Sequence, residues 1–512
     1  MRPFLVLAIL PLALAAPIRT FAAAPPDPAA IEAVLQHQSP TFGGPTLDRD
    51  ALTRIYRKRD FAPLWDDARA EALRRALDEA PSQGIDDVEP ELAGASPASR
   101  EVALTAAFLD YALALARGRV VPKLIERDWY LDMPYFDPDG LVDAMLAKGV
   151  GPALAALPPP DARYQALRTA LERYRGLAKT GWPELRTSRT LRQGDKDGAV
   201  VALRQRLALE GYRTAPPPGS DPQIFDKGLA SAVAQFQASH GLASDGMLGK
   251  ATLAALNIPA SARVLQIELN LERWRALPRI TAATRIEVNA AAATAVLYED
   301  GTSAKAMRVI VGTVRHPTPV FRTTMISVLI NPPWNVPNSI LKNEIMPKLK
   351  RDPDYLARGN YVFRDAERGQ RLVQLPGPGN ALGQLKFEMP NSLDVYMHDT
   401  PDRRLFALPR RTLSHGCVRV DDPRDLARRV INSESWPETA IDQAIASGET
   451  RRVALKQAIP VYVLYWTAFA DPDGTVEFRD DLYGRDKRLA EALAARTARL
   501  RLSAGATTPG AC

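Results

Sequence analysis

The spacing of apolar residues changes near Pro278, and this change constrains the fold more than any other feature of the sequence. Before Pro278, apolar side chains recur every three or four residues, which is the period of amphipathic helices. After it they alternate with other residues, as in half-buried strands, beginning at Ile286 and Val288. A chain of 512 residues also exceeds what one hydrophobic core usually supports. We therefore expect several domains, helical first and sheet-rich afterwards.

The N-terminal sequence predicts an exported protein. In residues 1–24, Arg2 precedes an apolar run that is too short to cross a bilayer comfortably, as in a secretory signal peptide. The cleavage position stays open, and a retained N-terminal anchor is the alternative. Residues 25–44 are rich in Pro and Ala and are expected to form a tether, while residues 501–512 are expected to be a flexible tail ending in Cys512.

Two stretches before the sheet are predicted to be helical. Residues 45–185 contain repeated apolar faces, such as the one from Leu104 to Leu115 that ends at Gly118, and are expected to form an all-helical scaffold domain. Residues 258–280 are expected to form a helix that leads into the sheet region. Neither stretch has a catalytic signature of its own.

Residues 188–257 form a compact unit with three predicted helices, for which Asp197 and Asp226 are expected N-caps. The unit resembles the three-helix peptidoglycan-binding module. The matching segments are Leu191-Arg192-Gln193-Gly194-Asp195, Phe225-Asp226, Ala234-Gln235-Phe236-Gln237 and Gly241-Leu242-Ala243-Ser244-Asp245-Gly246. A generic three-helix spacer and a degenerate copy that no longer binds glycan are the alternatives.

Residues 281–500 are predicted to form a mostly-β domain, with a hairpin turn at Asp300-Gly301. Between residues 331 and 391 the strand pattern gives way to Pro-rich and helical sequence, which indicates a helical capping insertion over a site. A strand from Leu393 to His398 would place Asp394, Tyr396 and His398 on one face. The predicted fold class is thus multidomain α+β, with a helical scaffold, a three-helix module and a capped β-domain.

A histidine and a cysteine on either side of a short segment indicate catalysis. His398 is followed by a spacer of fifteen residues, 399–413, and then by the run Ser414 to Arg419, which contains Cys417. A cysteine attacks carbonyl groups as its thiolate, so it needs a base or a positive field nearby, and His398 and His415 are the two candidate bases. We therefore predict that Cys417 is a nucleophile with a lowered pKa. A small buried hydrophobe is the alternative for a lone cysteine.

Residues beside Cys417 indicate how a negatively charged intermediate would be stabilised. Gly416 permits a sharp turn that directs N–H groups, from about Gly416 and Cys417, at an oxyanion, and Ser414 is a further supporting candidate. Arg411 and Arg419 are candidate ligands for a substrate carboxylate, with solvated surface arginines as the alternative.

This pattern resembles the active-site signature of L,D-transpeptidases with the YkuD-type fold, which has a histidine, a spacer of this length, and then Ser or Thr, His, Gly and Cys. The resemblance implies that His398 is the base, that a backbone carbonyl orients it, and that His415 supports the site. Some relatives have serine at the position of His415.

Three more segments resemble the larger YcbB-type branch of this family: Val288-Asn289, the Asn331 to Pro337 run, and Asp352 to Leu356. Members of that branch combine a helical scaffold, a peptidoglycan-binding module and a capped catalytic domain. Tyr396 and Trp334 are accordingly candidate substrate-binding residues, although an aromatic residue flanked by prolines also fits a packing role.

The resemblance implies acyl transfer in two steps. Cys417 would attack the carbonyl of a diamino acid in a tetrapeptide stem, release the terminal D-residue, and pass the acyl group to a second stem, without a cofactor. Stem peptides and glycan are the expected partners, other cell-wall synthesis proteins are further candidates, and carbapenem-class beta-lactams are expected covalent inhibitors. The open alternatives are hydrolysis of the same thioester by an L,D-carboxypeptidase or endopeptidase, lipoprotein attachment to the wall, and an inactive wall-binding scaffold.

Composition excludes other classes of protein. The formal charge of +7 is spread along the chain without a basic block, so nucleic-acid binding is not indicated. A mildly basic surface suits an acidic polymer such as cell wall, in the periplasm. With two cysteines the chain is not scaffolded by disulfides, and no paired metal-ligand motif is present in the sequence.

Overall fold

The computed structural model describes residues 25–37, 49–87, 95–366 and 369–505. Their buried apolar residues form two helical cores, the core of a large sheet and a small cluster within an insertion. The predicted multidomain α+β fold class is therefore confirmed. Among the described residues, no helix is long and apolar enough to cross a membrane.

The N-terminal helices enclose one apolar core that also contains a buried polar group. The Tyr56 hydroxyl lies 2.6 Å from Thr105 Oγ1 and donates to Glu101 Oε1 at 3.0 Å, so these buried polar atoms are paired. The helices that line this core are α1 (Pro28–His37), α2 (Arg49–Arg57), α3 (Asp67–Asp78), α4 (Pro97–Arg117), α6 (Pro138–Lys148) and α7 (Val150–Ala155). Two more helices of this region are α5 (Pro122–Ile125) and α8 (Ala162–Thr180), and the buried residues of α8 belong to the sheet's core.

Part of the predicted tether, residues 25–44, is a helix packed on the scaffold core. Helix α1 begins at Pro28, a favourable first helical residue, and its Ile31 and Leu35 are four residues apart and buried in that core. The tether prediction is wrong for this helix, because a short apolar face outweighs the Pro and Ala composition. Residues 38–44 lie outside the described residues.

The three helices predicted between residues 188 and 257 are present as α9 (Ala199–Leu209), α10 (Lys227–Ser239) and α11 (Lys250–Leu256). Asp226 caps α10 by accepting the Leu229 N–H at 2.9 Å, as predicted. Asp197 accepts the Ala199 N–H at 3.0 Å from one residue outside the N-cap position of α9. These helices and their loops have a core of their own.

Nine strands of the described residues form the large sheet, in the order β10 (Thr412–Ser414), β3 (Thr302–Gly312), β11 (Val418–Val420), β9 (Met397–His398), β8 (Leu385–Glu388), β4 (Phe321–Ile330), β12 (Arg451–Leu464), β1 (Arg285–Asn289) and β2 (Thr294–Glu299). A further β2–β3 pairing curls the sheet back on itself. The predicted turn at Asp300-Gly301 is confirmed, since both residues have positive φ, 50° and 82°, between antiparallel strands. The first strands are β1 (Arg285–Asn289), β2 (Thr294–Glu299), β3 (Thr302–Gly312) and β4 (Phe321–Ile330).

The insertion between β4 and the rest of the sheet contains sheet as well as helix. A three-stranded sheet in the order β5-β7-β6 packs with the helices around Val336, Ile345 and Leu372. Its elements are β5 (Trp334–Asn335), α13 (Asn338–Ile340), a π-helical turn (Leu341–Ile345), α14 (Met346–Arg351), α15 (Tyr355–Arg358), β6 (Tyr361–Ala366) and β7 (Gly369–Gln374). We call residues 331–384 the cap.

The predicted end of the insertion at residue 391 is wrong, because β8 (Leu385–Glu388) pairs with β4 in the main sheet. The predicted strand from Leu393 to His398 is also shorter, and β9 is Met397–His398. The side chain of Asn391 accepts the N–H groups of Leu393 and Val395 at 3.0 and 3.3 Å. These bonds stabilise a turn where the sequence predicts a strand. Asp394 accordingly has a φ of 53° and does not lie on one strand face with Tyr396 and His398.

The remaining elements complete the sheet and cover it. They are β10 (Thr412–Ser414), β11 (Val418–Val420), α16 (Pro423–Ile431), α17 (Glu438–Ala446), β12 (Arg451–Leu464), β13 (Ala468–Ala470), β14 (Val476–Phe478) and α18 (Arg485–Gly505). The predicted linking helix is α12 (Ala260–Ala276), and its Ile267, Leu271 and Trp274 share the sheet's core with α8.

Charged side chains are buried where α12 meets the scaffold helices. Glu272 is 2% exposed, accepts Arg275 Nη2 at 2.8 Å and lies 3.2 Å from Arg119 Nε. Burial alone would raise the pKa of Glu272, but the two guanidinium groups lower it to about 2. The carboxylate is therefore charged and paired at neutral pH.

Glu272→Gln should lower the free energy of unfolding at pH 7 by about 3 kcal/mol, because the variant loses a buried charge pairing. The lowered pKa means that this stabilisation is present above the unfolded-state value of 4.5 and is lost as pH falls toward about 2. Urea unfolding at pH 7 and pH 3 should show the difference between wild type and variant shrinking at pH 3. Glu491→Gln, on the exposed face of α18, is the control; an equal loss at both pH values for Glu272→Gln would contradict the assignment.

Candidate active site

A tight turn between β10 and β11 holds the predicted nucleophile. Gly416 has a φ of 111°, a region that favours glycine, and it lies directly before Cys417. The Ser414 hydroxyl donates to the Cys417 carbonyl at 2.5 Å and accepts the Gly416 N–H at 3.1 Å. Ser414 thus fixes the turn from within. Because the Gly416 N–H donates to Ser414, the Cys417 N–H is the remaining candidate donor for an oxyanion.

A second side chain holds the same turn from the neighbouring loop. Thr318 is fully buried, donates to the Gly416 carbonyl at 2.9 Å and accepts the Gly312 N–H at 2.8 Å. The Tyr483 hydroxyl donates to the Gly312 carbonyl at 2.7 Å. A Cβ at Gly312 would lie 2.0 Å from a backbone oxygen, so only glycine fits there. Sequence reasoning missed Thr318 because the residue that it supports is 98 positions away.

The register between β9 and β11 places Cys417 beside the strand that carries His398. The strands are parallel, Arg419 is opposite His398, and the Val418 N–H donates to the Tyr396 carbonyl at 3.0 Å. Side chains opposite one another in such a pair point to the same face, and residues two apart along a strand share a face. Cys417 comes directly before β11 and two residues before Arg419, so we expect its side chain on the face that carries His398.

His398 is 4% exposed, and its Nδ1 has no hydrogen-bond partner among the described residues. Burial and the positive charge of Arg419 lower the pKa of His398 to about 3, while the backbone at Asp399 and Leu382 acts in the opposite direction. The imidazole is therefore neutral at pH 7 and able to accept a proton. Orientation by a backbone carbonyl stays a prediction.

Burial raises the pKa of the Cys417 thiol, although contacts with Tyr396 and the charges of Lys386 and Arg419 act against this. The thiol itself donates toward the Asp394 carbonyl at 3.7 Å. This differs from the lowered pKa expected from sequence, because the half-buried site disfavours a free thiolate. The thiol and the imidazole are therefore both neutral at pH 7.

Tyr396 lies between the thiol and the cap. Its hydroxyl interacts with the Cys417 thiol and with the Trp334 side chain, and burial raises the pKa of Tyr396 well above its usual value. The Trp334 side chain packs on the apolar cluster of the cap. The structure thus places both predicted substrate-binding aromatic residues at the boundary of the cap and the thiol.

His415 connects the turn between β10 and β11 to the cap. Its Nε2 lies 2.6 Å from Glu344 Oε1 in the π-helical turn of the cap, and both side chains are partly exposed, 42% and 39%. The His316 ring lies 4.9 Å from the His415 ring. Sequence reasoning gave His316 no role, because a histidine in a distant turn carries no signal of this contact.

The structure assigns different environments to the two predicted substrate-binding arginines. Arg411 donates to the carbonyls of Val309, Leu408 and Ala293 at 3.0–3.1 Å. The substrate-binding prediction for Arg411 is therefore replaced by a structural role, since three segments of backbone occupy its guanidinium. Arg419 remains half-buried beside His398.

Three family models match consecutive parts of the chain. Residues 50–171 match a scaffold domain, residues 196–256 match a "Putative peptidoglycan binding domain", and residues 283–446 match the YkuD L,D-transpeptidase catalytic domain. The chain therefore contains an L,D-transpeptidase catalytic domain of the YkuD type together with a peptidoglycan-binding domain. Cys417, His398 and His415 all lie within the catalytic match.

A relative from Haemophilus influenzae, "Putative L,D-transpeptidase", is 33% identical over 270 residues. The match covers 48% of this chain and 54% of the relative, so the chain spans about half the length of that curated protein. Apart from the corrections given above for the tether, the end of the insertion and Arg411, the sequence-level predictions of domain boundaries and of site residues stay predictions.

Two solved structures also match. The L,D-transpeptidase of Xylanimonas cellulosilytica is 16% identical, with a TM-score of 0.20, over 54% of this chain and 98% of that chain. The catalytic domain of the E. faecium enzyme acylated by ertapenem is 14% identical, with a TM-score of 0.17, over 36% and 99%. TM-scores this low do not support structural conclusions.

Glu344→Ala should loosen the cap, because it removes the contact with His415 while leaving the main sheet intact. A partly exposed pair contributes up to about 1 kcal/mol, so amide hydrogen exchange in residues 338–358 should accelerate by up to about fivefold. Glu449→Ala, which removes an exposed carboxylate outside the cap, is the matched control. Unchanged exchange in the cap of the Glu344 variant would show that this contact does not hold it.

Proposed function

We propose that this protein is an exported L,D-transpeptidase that cross-links peptidoglycan stems through a thioester on Cys417. The observation that supports the proposal best is the register of β9 and β11, in which the buried, neutral His398 is opposite Arg419, two residues after Cys417. Gly416, with its positive φ, shapes the turn directly before Cys417. The matches to the catalytic and peptidoglycan-binding domain models support the substrate class. The periplasm is the proposed location, with cell-wall biogenesis and cell shape as the processes served.

The first half of the reaction forms the acyl-enzyme. The Cys417 sulfur attacks the carbonyl of a diamino acid in a tetrapeptide stem while His398 takes the thiol proton. The Cys417 N–H stabilises the oxyanion that develops in the tetrahedral intermediate. The C–N bond to the terminal D-residue then breaks, and His398 returns its proton to the leaving amine. A thioester remains on Cys417.

The second half transfers the acyl group. An amine of a second stem attacks the thioester carbonyl, His398 takes a proton from that amine, and the sulfur leaves as a thiol after reprotonation. Water would give hydrolysis by the same route, so the choice of acceptor depends on what reaches the carbonyl. A cap held over the turn by His415 and Glu344 favours a bound amine over bulk water.

Cys417→Ala should abolish cross-link formation and also the covalent adduct formed with a carbapenem, because the variant has no nucleophile. Mass spectrometry of muropeptides from tetrapeptide-bearing sacculi measures the first, and intact-protein mass measures the second. Cys512→Ala is the matched control and should retain both. Wild-type products from the Cys417 variant, or an adduct on another residue, would refute the mechanism; tripeptide products without cross-links would support an L,D-carboxypeptidase.

His398→Ala should lower kcat/KM by roughly 10²–10⁴, the usual effect of removing a positioned base. His415→Ser should cost less, because His415 lies between the turn and the cap and serine occurs in relatives. The lowered pKa of His398 also means that wild-type activity should persist below pH 6.5, where an ordinary histidine would become charged. Transpeptidation measured across pH 4–8 tests this; a larger loss for His415→Ser would make His415 the base.

A further inference from the structure

We propose that Lys386 and Arg419 together form a binding site for a carboxylate of the donor stem, beside Cys417. Lys386 had no part in the sequence-based site and is absent from the mechanism above. The inference rests on the proposed function for the identity of the ligand. It rests on the structure for the charge and location of the site.

The strand β8 carries Lys386 to the catalytic face. Lys386 is opposite His398 in the antiparallel β8–β9 pair, as Arg419 is opposite His398 in the parallel β9–β11 pair. His398 thus lies between two cationic residues on adjacent strands. Leu385 and Phe387, which flank Lys386, are fully buried on the opposite face, so the register of β8 is fixed by apolar packing.

The Lys386 ammonium is held close to the thiol by Tyr396. Its Nζ lies 4.3 Å from the centre of the Tyr396 ring, and the hydroxyl of that ring interacts with Cys417. The positive charges of Lys386 and Arg419 both act on the thiol of Cys417 and on His398. Both cations therefore lie near the position where the substrate carbonyl must bind.

Neither cation has an ion-pair partner among the described residues, and the nearby carboxylates are otherwise engaged. Glu388 lies 2.7 Å from Arg452 Nε, and Asp399 lies 2.7 Å from Arg403 Nη1. The charge of Asp402 acts on Arg419, but this carboxylate lies 3.3 Å from Arg404 Nε. Arg419 Nε is buried without a hydrogen-bond partner. Two half-buried cations without a direct ion-pair partner are unfavourable, and an anionic ligand that binds between them lowers that cost.

A carboxylate is the anion that the proposed substrate supplies. A guanidinium binds a carboxylate in a fixed geometry, and an ammonium adds a charge that tolerates several directions. Two carboxylates of the stem could occupy the site, the one on the terminal D-residue and the one on the diamino acid side chain. Both have the chemistry that the two cations select.

Alkylation of Cys417 separates anion binding from a general effect on the thiol. Iodoacetate and iodoacetamide attack the same sulfur, but only iodoacetate carries a carboxylate. In the full-length protein, Lys386→Met should lower the ratio of the iodoacetate rate to the iodoacetamide rate about three- to tenfold. Lys386→Arg should restore most of that ratio, since it retains the charge.

Lys456→Met, on the exposed part of β12, is the matched control and should leave the ratio unchanged. If Lys386 only tunes the thiol, the rates of both reagents will fall together in Lys386→Met, and the unchanged ratio will overturn the proposal. The proposal is also overturned if Lys456→Met changes this ratio of rates as much as Lys386→Met does. Because alkylation needs no transpeptidase activity, this outcome is independent of whether the proposed function holds.

Soluble tetrapeptide donors identify the carboxylate. One donor is amidated at the terminal D-residue and another at the diamino acid side chain, and each is compared with the unmodified donor. For wild type, one of the two amidated donors should have a higher KM than the unmodified donor. In Lys386→Met that difference in KM should disappear, while the KM of the other amidated donor should change little. Equal KM values for all three donors in wild type would overturn the proposal, whereas failure of wild type to process any donor would count against the proposed function.

Discussion

The two residues of β9 and the three of β11 form a short parallel ladder, and the whole site depends on its register. A slip of one residue would turn His398 or Cys417 to the opposite face of the sheet. So short a ladder cannot hold its own register. The register is fixed by β8, which pairs with β9, and by β3, which pairs with β11. Both of these strands have buried apolar residues that anchor them in the sheet. The catalytic geometry is thus a property of the whole sheet.

The electrostatics of the site follow from burial as much as from charge. Burial makes the charged forms of both Cys417 and His398 unfavourable, so the resting pair is a thiol and a neutral imidazole. Nearby cations lower the cost of the thiolate but also raise the cost of the imidazolium. In the proposed mechanism, the proton moves to His398 only as the substrate carbonyl takes up the negative charge and the turn stabilises it. The proposed mechanism therefore ties the reactivity of Cys417 to bound substrate.

Sequence reasoning found what local patterns encode. The fold class, the module with Asp226 as its helix cap, the turn at Asp300-Gly301 and the residues of the cysteine turn all have signals within a few positions. Sequence reasoning failed where contacts between residues far apart in the chain determine the structure. Lys386 lies in the main sheet because β8 pairs with β4. Thr318 reaches Gly416 only because the segment after β3 lies beside the Cys417 turn. Asn391 shows the opposite failure, since one side chain overrides an alternating pattern that predicts a strand.

The cap is attached to the sheet in such a way that it can move without changing the β9–β11 ladder beside Cys417. The cap leaves the main sheet after β4 and returns at β8, and the contact of Glu344 with His415 is made with the turn between β10 and β11. Outward movement of the cap would break that contact and alter the packing of Trp334 near Tyr396, but it would leave the β9–β11 ladder in place. Under the proposed function, a stem peptide would then enter without disturbing the register that relates Cys417 to His398. Return of the cap would restore the surroundings of Tyr396 and exclude water from the proposed thioester.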